Sequence, residues 1–504
     1  MLFNSYQFIF IFLPVVLLAY YLLNHLEQAR LSRAWLVLTS LFFYAFWNPA
    51  YLPLLLLSLF VNYALSYALK VSVVSAVKRA WLVLGLGFNL GLLAYFKYAN
   101  FFVNTVNQLF QTELVLTTIL LPLAISFFTF QQIAYLVEWF RGTSTWYSFL
   151  DYSLFVVFFP QLIAGPIVHA HEILPQFARG PQRLRPDDIA IGLTIFLLGL
   201  FKKILIADSV AQYATPVFGA AATGAPLTLL EAWGGVLAYT FQLYFDFSGY
   251  SDMAIGLGRM FGITIPKNFD APYKALNITE FWRKWHITLS RWLRDYLYIP
   301  LGGSRKGEPR RYFNLMLTML LGGLWHGAGW TFVVWGGLHG LYLVVHQVWS
   351  KVGVAAKFNN AWGRGLSRLL TFTAVVVGWV FFRAESWEAA NLHLRAMFGL
   401  GGVTLPAAFG FSSETLTALG VQVGSLGSFD ARGFVWIAVL LVWVWKAPSL
   451  QQILVASIDA ARQATMKVQR SSYILYGLIL GTALFWVVKG YFAAQPSEFL
   501  YFNF

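Results

Sequence analysis

Two histidines stand in settings that suit proton transfer. His326 lies in LLGGLWHGAGW, an otherwise apolar run, and His286 closes the basic, aromatic stretch TEFWRKWH. Imidazole is the side chain whose ordinary pKa lets it exchange a proton near neutrality. A polar ring at membrane depth is costly enough that it normally faces an interior cavity. Gly322, Gly323, Gly327 and Gly329 flank His326, so backbone or substrate can approach the ring without Cβ atoms in the way. Two structural alternatives stay open: His326 as a core histidine hydrogen-bonded across helices, and His286 as an interfacial residue. One acidic cluster accompanies them, Tyr244-Phe-Asp246-Phe-Ser248-Gly-Tyr250-Ser-Asp252. A carboxylate there either partners a nearby Arg or His, or orients a catalytic imidazole. His339 and His346 are seven residues apart on one prospective helix face but lack a third ligand, so no metal site is assigned. The chain has no cysteine. It also has no Gly-x-Ser-x-Gly elbow, Walker loop or zinc-protease motif, which leaves direct transfer with histidine as general base as the simplest chemistry.

Two further regions carry chemical character. Residues 266–311 hold ten Lys/Arg against Asp270, Glu280, Asp295 and Glu308, interleaved with Trp282, Trp285, Trp292, Tyr296 and Tyr298. This basic cytoplasmic-face segment is either a positive-inside loop with snorkelling arginines or a surface for a phosphate-bearing anion. On the second reading Arg283, Lys284, Arg291 and Arg294 attract the donor. The tail 492–504 packs Phe499, Tyr501, Phe502 and Phe504 into its last six residues. It reads as an aromatic interfacial anchor or as a carrier, since Tyr501 alone in those six residues offers a nucleophilic hydroxyl.

The elements that must position these residues follow from composition. Of 504 residues 59% are hydrophobic and only 11% charged, and the mean hydropathy is +0.64, whereas a soluble domain carries about 25% charged residues. This is the composition of a multi-pass membrane protein. It excludes a water-exposed enzyme and a nucleic-acid binder, despite a net charge of +14. Each crossing needs roughly 20 apolar residues, and the apolar runs predict an all-α polytopic fold of roughly 11–13 transmembrane or re-entrant helices. Runs at 115–137, 151–168, 189–207, 232–247, 312–325 and 331–349 belong to this set, with breaks expected at Pro160, Pro166 and Gly322–Gly329. Basic loops at 24–33, 70–79 and 446–470 read as cytoplasmic, and 399–431, without Lys or Arg, as external. Both termini then lie outside. The N-terminus has no basic n-region, so the first span is expected to be retained. No repeat or second domain is evident, and 1–504 is read as a single membrane domain.

The runs FDFSGYSDMAIGLGRMFG, NITEFWRKWHITLSRWLRDYLYIPLGG and LTMLLGGLWHGAGWTFVVWGGLHG resemble the bacterial membrane-bound O-acyltransferases, in the branch that acetylates alginate, cellulose and peptidoglycan. The opening MLFNSYQFIFIFLP, LLPLAISFFTFQ, FPQLIAGPI and the closing FLYFNF extend the similarity over most of the chain. The resemblance implies a funnel-shaped helical fold around a tunnel. His326 is then the catalytic base, His286 lies on the same tunnel, and Asp246, Ser248 and Trp325 support it. It also implies a cytoplasmic thioester donor, acetyl-CoA, no bound cofactor, and residence in the bacterial inner membrane. The acceptor lies outside the cytoplasm and is reached through a periplasmic SGNH-type acetyltransferase partner, for an exopolysaccharide with alginate first and cellulose second. Peptidoglycan is the alternative within this class. A lipid-linked sugar transporter or flippase is the alternative from another class, but it predicts inverted repeats and paired broken helices, which the sequence does not show.

Overall fold

The structure, a computed structural model, describes residues 1–143, 145–352, 360–407, 416, 420–450, 452–453, 481–482 and 497–500. Tyr501 and the last three residues therefore lie outside the described residues, as does most of 451–496. The chain clusters into two compact units. The first comprises Met1–Leu200, Gly249–Lys267 and Tyr491–Phe504, the second Phe201–Ser248 and Asn268–Gly490.

Most of the first unit consists of α1 (Leu13–His25), α2 (Ala29–Ala45), α3 (Leu52–Val71), α4 (Ser75–Leu93), α5 (Ala99–Phe110), α6 (Ile125–Arg141), α7 (Phe149–Val157), α8 (Phe159–Leu162), α9 (Ala170–Phe177) and α10 (Pro186–Phe201). Apolar residues such as Phe10, Leu18, Phe60 and Val83 point outward, a surface that suits lipid and not water. Helices with apolar outer faces gain little by burying more apolar area, so polar side chains supply cohesion between them. Asn62 on α3 and Asn89 on α4 exchange amide hydrogen bonds, and Gln132 on α6 receives bonds from Ser58 and from the Tyr152 hydroxyl. The proline-broken stretch 158–170 is buried throughout, and the Ser40 hydroxyl accepts from the backbone N–H of Phe159 at the break.

In the second unit a π-helical turn, Lys202–Ala207, leads into α11 (Asp208–Ala222). Next come α12 (Leu229–Met260, whose residues after Ser248 belong to the first unit), α13 (Ile278–Lys284), α14 (Ile287–Leu293), α15 (Glu308–His326), α16 (Trp330–Lys351), α17 (Ala361–Arg383), α18 (Trp387–Met397) and α19 (Gly433–Lys446). The break expected at the glycines falls at Gly327–Gly329, between α15 and α16. These two helices approach so closely that a Cβ on Gly323 would strike the Phe332 carbonyl and one on Gly336 the Met319 carbonyl.

The helical polytopic fold class holds, and the structure adds three details. First, five helical stretches among the described residues are long and apolar enough to cross a bilayer: Gln7–His25, Pro49–Val71, Ser75–Phe110, Pro186–Ala222 and Ala361–Arg383. Others of sufficient length, such as α12 with its 32 residues, fall short of that apolarity because they carry polar groups, and in α12 Thr240, Asp246, Ser248 and Asp252 are all buried. Second, the run 115–137 is helical only from Ile125. Pro122 restricts the residue before it, its carbonyl accepts from the Ile125 N–H, and Ala124 turns left-handed with φ 62° to start the helix. Third, the helical fold carries a small two-stranded sheet. β1 (Val403–Pro406) and β2 (Val421–Gly424) pair in parallel, Val403 opposite Val421, within the connection read as a loop. Four-residue strands are too short to show alternation above the noise of a glycine-rich stretch.

Candidate active site

His286 is the second of the two residues between α13 and α14 and adopts φ 42°, ψ 53°. That left-handed backbone costs a side-chain-bearing residue about 1–2 kcal/mol, so neighbouring groups must hold it. Asn268 does so from both its backbone and its side chain. The Ile287 N–H donates to the Asn268 carbonyl at 2.9 Å. The Asn268 side-chain oxygen accepts from the Thr288 N–H at 3.3 Å and the Thr288 hydroxyl at 2.9 Å. A backbone N–H can only donate, so the atom facing it is the amide oxygen. The same oxygen lies 3.2 Å from His286 Nδ1, which must then carry the proton, leaving the lone pair on Nε2. Burial pushes this histidine down to about 3, so the ring is neutral at any physiological pH.

His326 is the last residue of α15 and is buried. Its ring centroid lies 6.2 Å from that of His286. Trp325 stands 5.0 Å from His326 and 6.2 Å from His286, Trp335 and Phe382 stand 5.0 and 5.2 Å from His326, and Phe247 meets His286 edge-on at 4.8 Å. Two imidazoles thus share one aromatic enclosure. In such a medium a neutral imidazole can accept a proton from an incoming hydroxyl, and developing charge is poorly screened by water.

The structure brings together His286, His326 and Trp325 from the sequence-based set. Asp246 is buried and ion-paired: Lys203 lies 2.7 Å from Asp246 and 2.8 Å from the partly exposed Asp208. Ser248 is buried, and its hydroxyl has no hydrogen-bond partner among the described residues. Of the four cations assigned to the donor, Lys284 pairs with Glu280 at 2.7 Å and exposed Arg294 with Asp295 at 2.7 Å, while Arg283 is exposed and Arg291 half-buried. The basic surface carries less bare charge than its composition suggests.

Several neighbours escaped the sequence reading. Asn268, in PKNFD, carries no local signal that it pairs with residues 18 to 20 positions on. Lys203, by contrast, sits in the apolar run LLGLFKKILIAD, where an ionisable group calls for a partner. His339 belongs to the enclosure wall. The Trp282 indole N–H donates to its Nδ1 at 3.2 Å, its ring lies 4.9 Å from Trp335, and a Cβ on Gly378 would come within 2.9 Å of its Nε2.

The sequence profile described as "MBOAT, membrane-bound O-acyltransferase family" matches residues 3–364. The chain belongs to that family. It is accordingly an O-acyltransferase integral to a membrane, and the matched region includes both histidines. A peptidoglycan O-acetyltransferase of Helicobacter pylori is 48% identical over 432 residues, covering 80% of this chain and 81% of the relative. A probable alginate O-acetylase AlgI of Pseudomonas aeruginosa is 44% identical over 434 residues, covering 84% and 79%. A teichoic acid D-alanyltransferase of Bacillus subtilis is more distant, 27% identical over 281 residues, covering 53% and 69%.

Proposed function

We propose that the His286/His326 enclosure catalyses transfer of acetyl from a cytoplasmic thioester, acetyl-CoA, toward an acceptor outside the bacterial inner membrane. The observation that carries this reading is the approach of the two rings within one aromatic wall, 6.2 Å between centroids. His326, neutral, takes the proton of the attacking hydroxyl as its oxygen bonds the thioester carbonyl carbon. The tetrahedral intermediate then breaks its C–S bond, and the imidazolium returns the proton to the departing thiolate. Asn268 holds His286 with its lone pair on Nε2, an acceptor in the wall of the same enclosure. Arg283, Lys284, Arg291 and Arg294, on or beside the helices flanking His286, attract the phosphates of the donor.

The acceptor is an envelope polysaccharide reached through a periplasmic SGNH-type partner, with alginate first and cellulose second. The 48% identity to a peptidoglycan O-acetyltransferase favours peptidoglycan as a second reading. Tyr501 is the carrier in this scheme. Its phenol, ordinarily of pKa about 10, is more acidic than a sugar hydroxyl, and the resulting phenyl ester retains transfer potential. The test is radiolabelled acetyl-CoA with the protein in proteoliposomes, where label should reach the protein only if His326 is intact. Base-labile acetate in isolated exopolysaccharide and peptidoglycan from a deletion strain then separates the acceptors. Wild-type labelling in Tyr501→Phe would leave the tail without a carrier role.

A further inference from the structure

Glu138, His169 and His171 stand together in the first unit. Glu138 is in the last turn of α6, His169 caps α9 and His171 is its second residue. The ligand atoms of the three side chains all lie within 4.8 Å of one another. We propose that they bind a divalent transition-metal ion of the zinc class.

Distance is the first argument. Glu138 Oε1 lies 3.5 Å from His169 Nδ1 and 3.4 Å from His171 Nδ1. Charge-assisted N–H···O bonds contract to about 2.7–2.9 Å, and elsewhere in this protein they do: Arg33 meets Asp151 at 2.8 Å and Lys203 meets Asp246 at 2.7 Å. The Glu138 contacts are too long for such bonds. They match the edge of a tetrahedron around zinc, which for metal–ligand bonds of about 2.0–2.1 Å measures about 3.3–3.4 Å. One carboxylate oxygen stands about equally far from two ring nitrogens, with all three ligand atoms within 4.8 Å of one another, so one ion can meet all three.

Chemistry and access agree with the distances. Two imidazoles and a carboxylate form a donor set that zinc accepts. The Glu138 and His169 side chains are 6% and 4% exposed, whereas that of His171 is 60% exposed. An ion can thus enter past His171 and keep water in the fourth position. Glu172 accepts from the His169 backbone N–H at 3.3 Å, which helps fix the start of α9. Bound there, the ion ties α6 to α9 and pins the far end of the proline-broken stretch 158–170.

The test uses the full-length protein, purified on a histidine-free tag, stripped with chelator and placed in nanodiscs. Co²⁺ is titrated by its absorption, Zn²⁺ by competition against it, and bound metal is counted by mass spectrometry. Wild-type protein should take up one equivalent with the intense visible band of tetrahedral Co²⁺, and Zn²⁺ should raise its thermal midpoint. His171→Ala removes an exposed side chain and should leave folding intact while weakening affinity by at least about 10-fold, since losing even an outer-sphere partner costs that much. Glu138→Gln serves as the second variant and should weaken binding likewise. No uptake by wild-type protein, or equal uptake by wild type and both variants, would overturn the site.

Discussion

Asn268 makes the orientation of His286 a property of one amide oxygen, which also holds Thr288 through two bonds. Asn268→Leu keeps the volume and removes that oxygen. We expect kcat for acetyl transfer to fall about 10- to 100-fold, the usual cost of losing a group that fixes a working histidine, with the KM for acetyl-CoA changed less. Steady-state kinetics in proteoliposomes gives both numbers, and an unchanged kcat would mean that the ring is fixed by other contacts. His326→Ala should be harsher, lowering transfer by about 10²- to 10⁴-fold, the range for a lost general base, while the protein still inserts and elutes as a single species. A folded variant with wild-type turnover would remove the base assignment. At this scale the sequence was partly readable. A histidine among glycines in an apolar run announces itself, whereas Asn268 gains its importance only when the chain folds back on residues 286–288.

The hairpin of α15 and α16 delivers His326 to the enclosure, and its closeness depends on glycines that face carbonyls of the opposite helix. Gly336→Leu should force the helices apart, lower the thermal midpoint in detergent and abolish activity with it. Full stability in that variant would show that the crossing has room to spare. The short helices α13 and α14 carry Arg283, Lys284 and Arg291, which we propose attract the donor, and here a kinetic split is informative. Replacing Arg283 and Lys284 by Ala should raise the KM for acetyl-CoA at low ionic strength with kcat less affected; equal KM values would limit these charges to topology. Element boundaries were legible where a residue dictates them, as at Pro160 and at Gly327–Gly329. They were illegible where tertiary pairing decides, as in β1 and β2, or where an apolar run stays irregular until Ile125.

Across the whole molecule, buried histidines couple folding to acidity. Burial lowers His286 to about 3 and His393, stacked on Phe218 with Nε2 donating to the Ala232 carbonyl, to about 4. Between these values and the ordinary 6.5 the unfolded chain binds protons that the folded chain refuses, so the stability they contribute is complete above about 6.5 and is lost as pH falls toward 4 and 3. The thermal midpoint should therefore drop between pH 7.5 and 5, and His393→Gln should flatten part of that slope; a slope identical in the variant would assign the effect to other groups. The wide turn at Lys202–Ala207 has a consequence for descent. Lys203 and Asp208 are five residues apart, and on an α-helix they would point about 140° away from each other. A π-turn is what an α-helix becomes when it accepts one additional residue, and here that residue brings both carboxylates to one ammonium. Deleting one residue between Lys203 and Asp208 would restore an ordinary helix and leave the two four apart, about 40° from each other and still neighbours on one face. The wide turn thus absorbs its additional residue locally, and the surface of α11 keeps its register on either side of such an insertion.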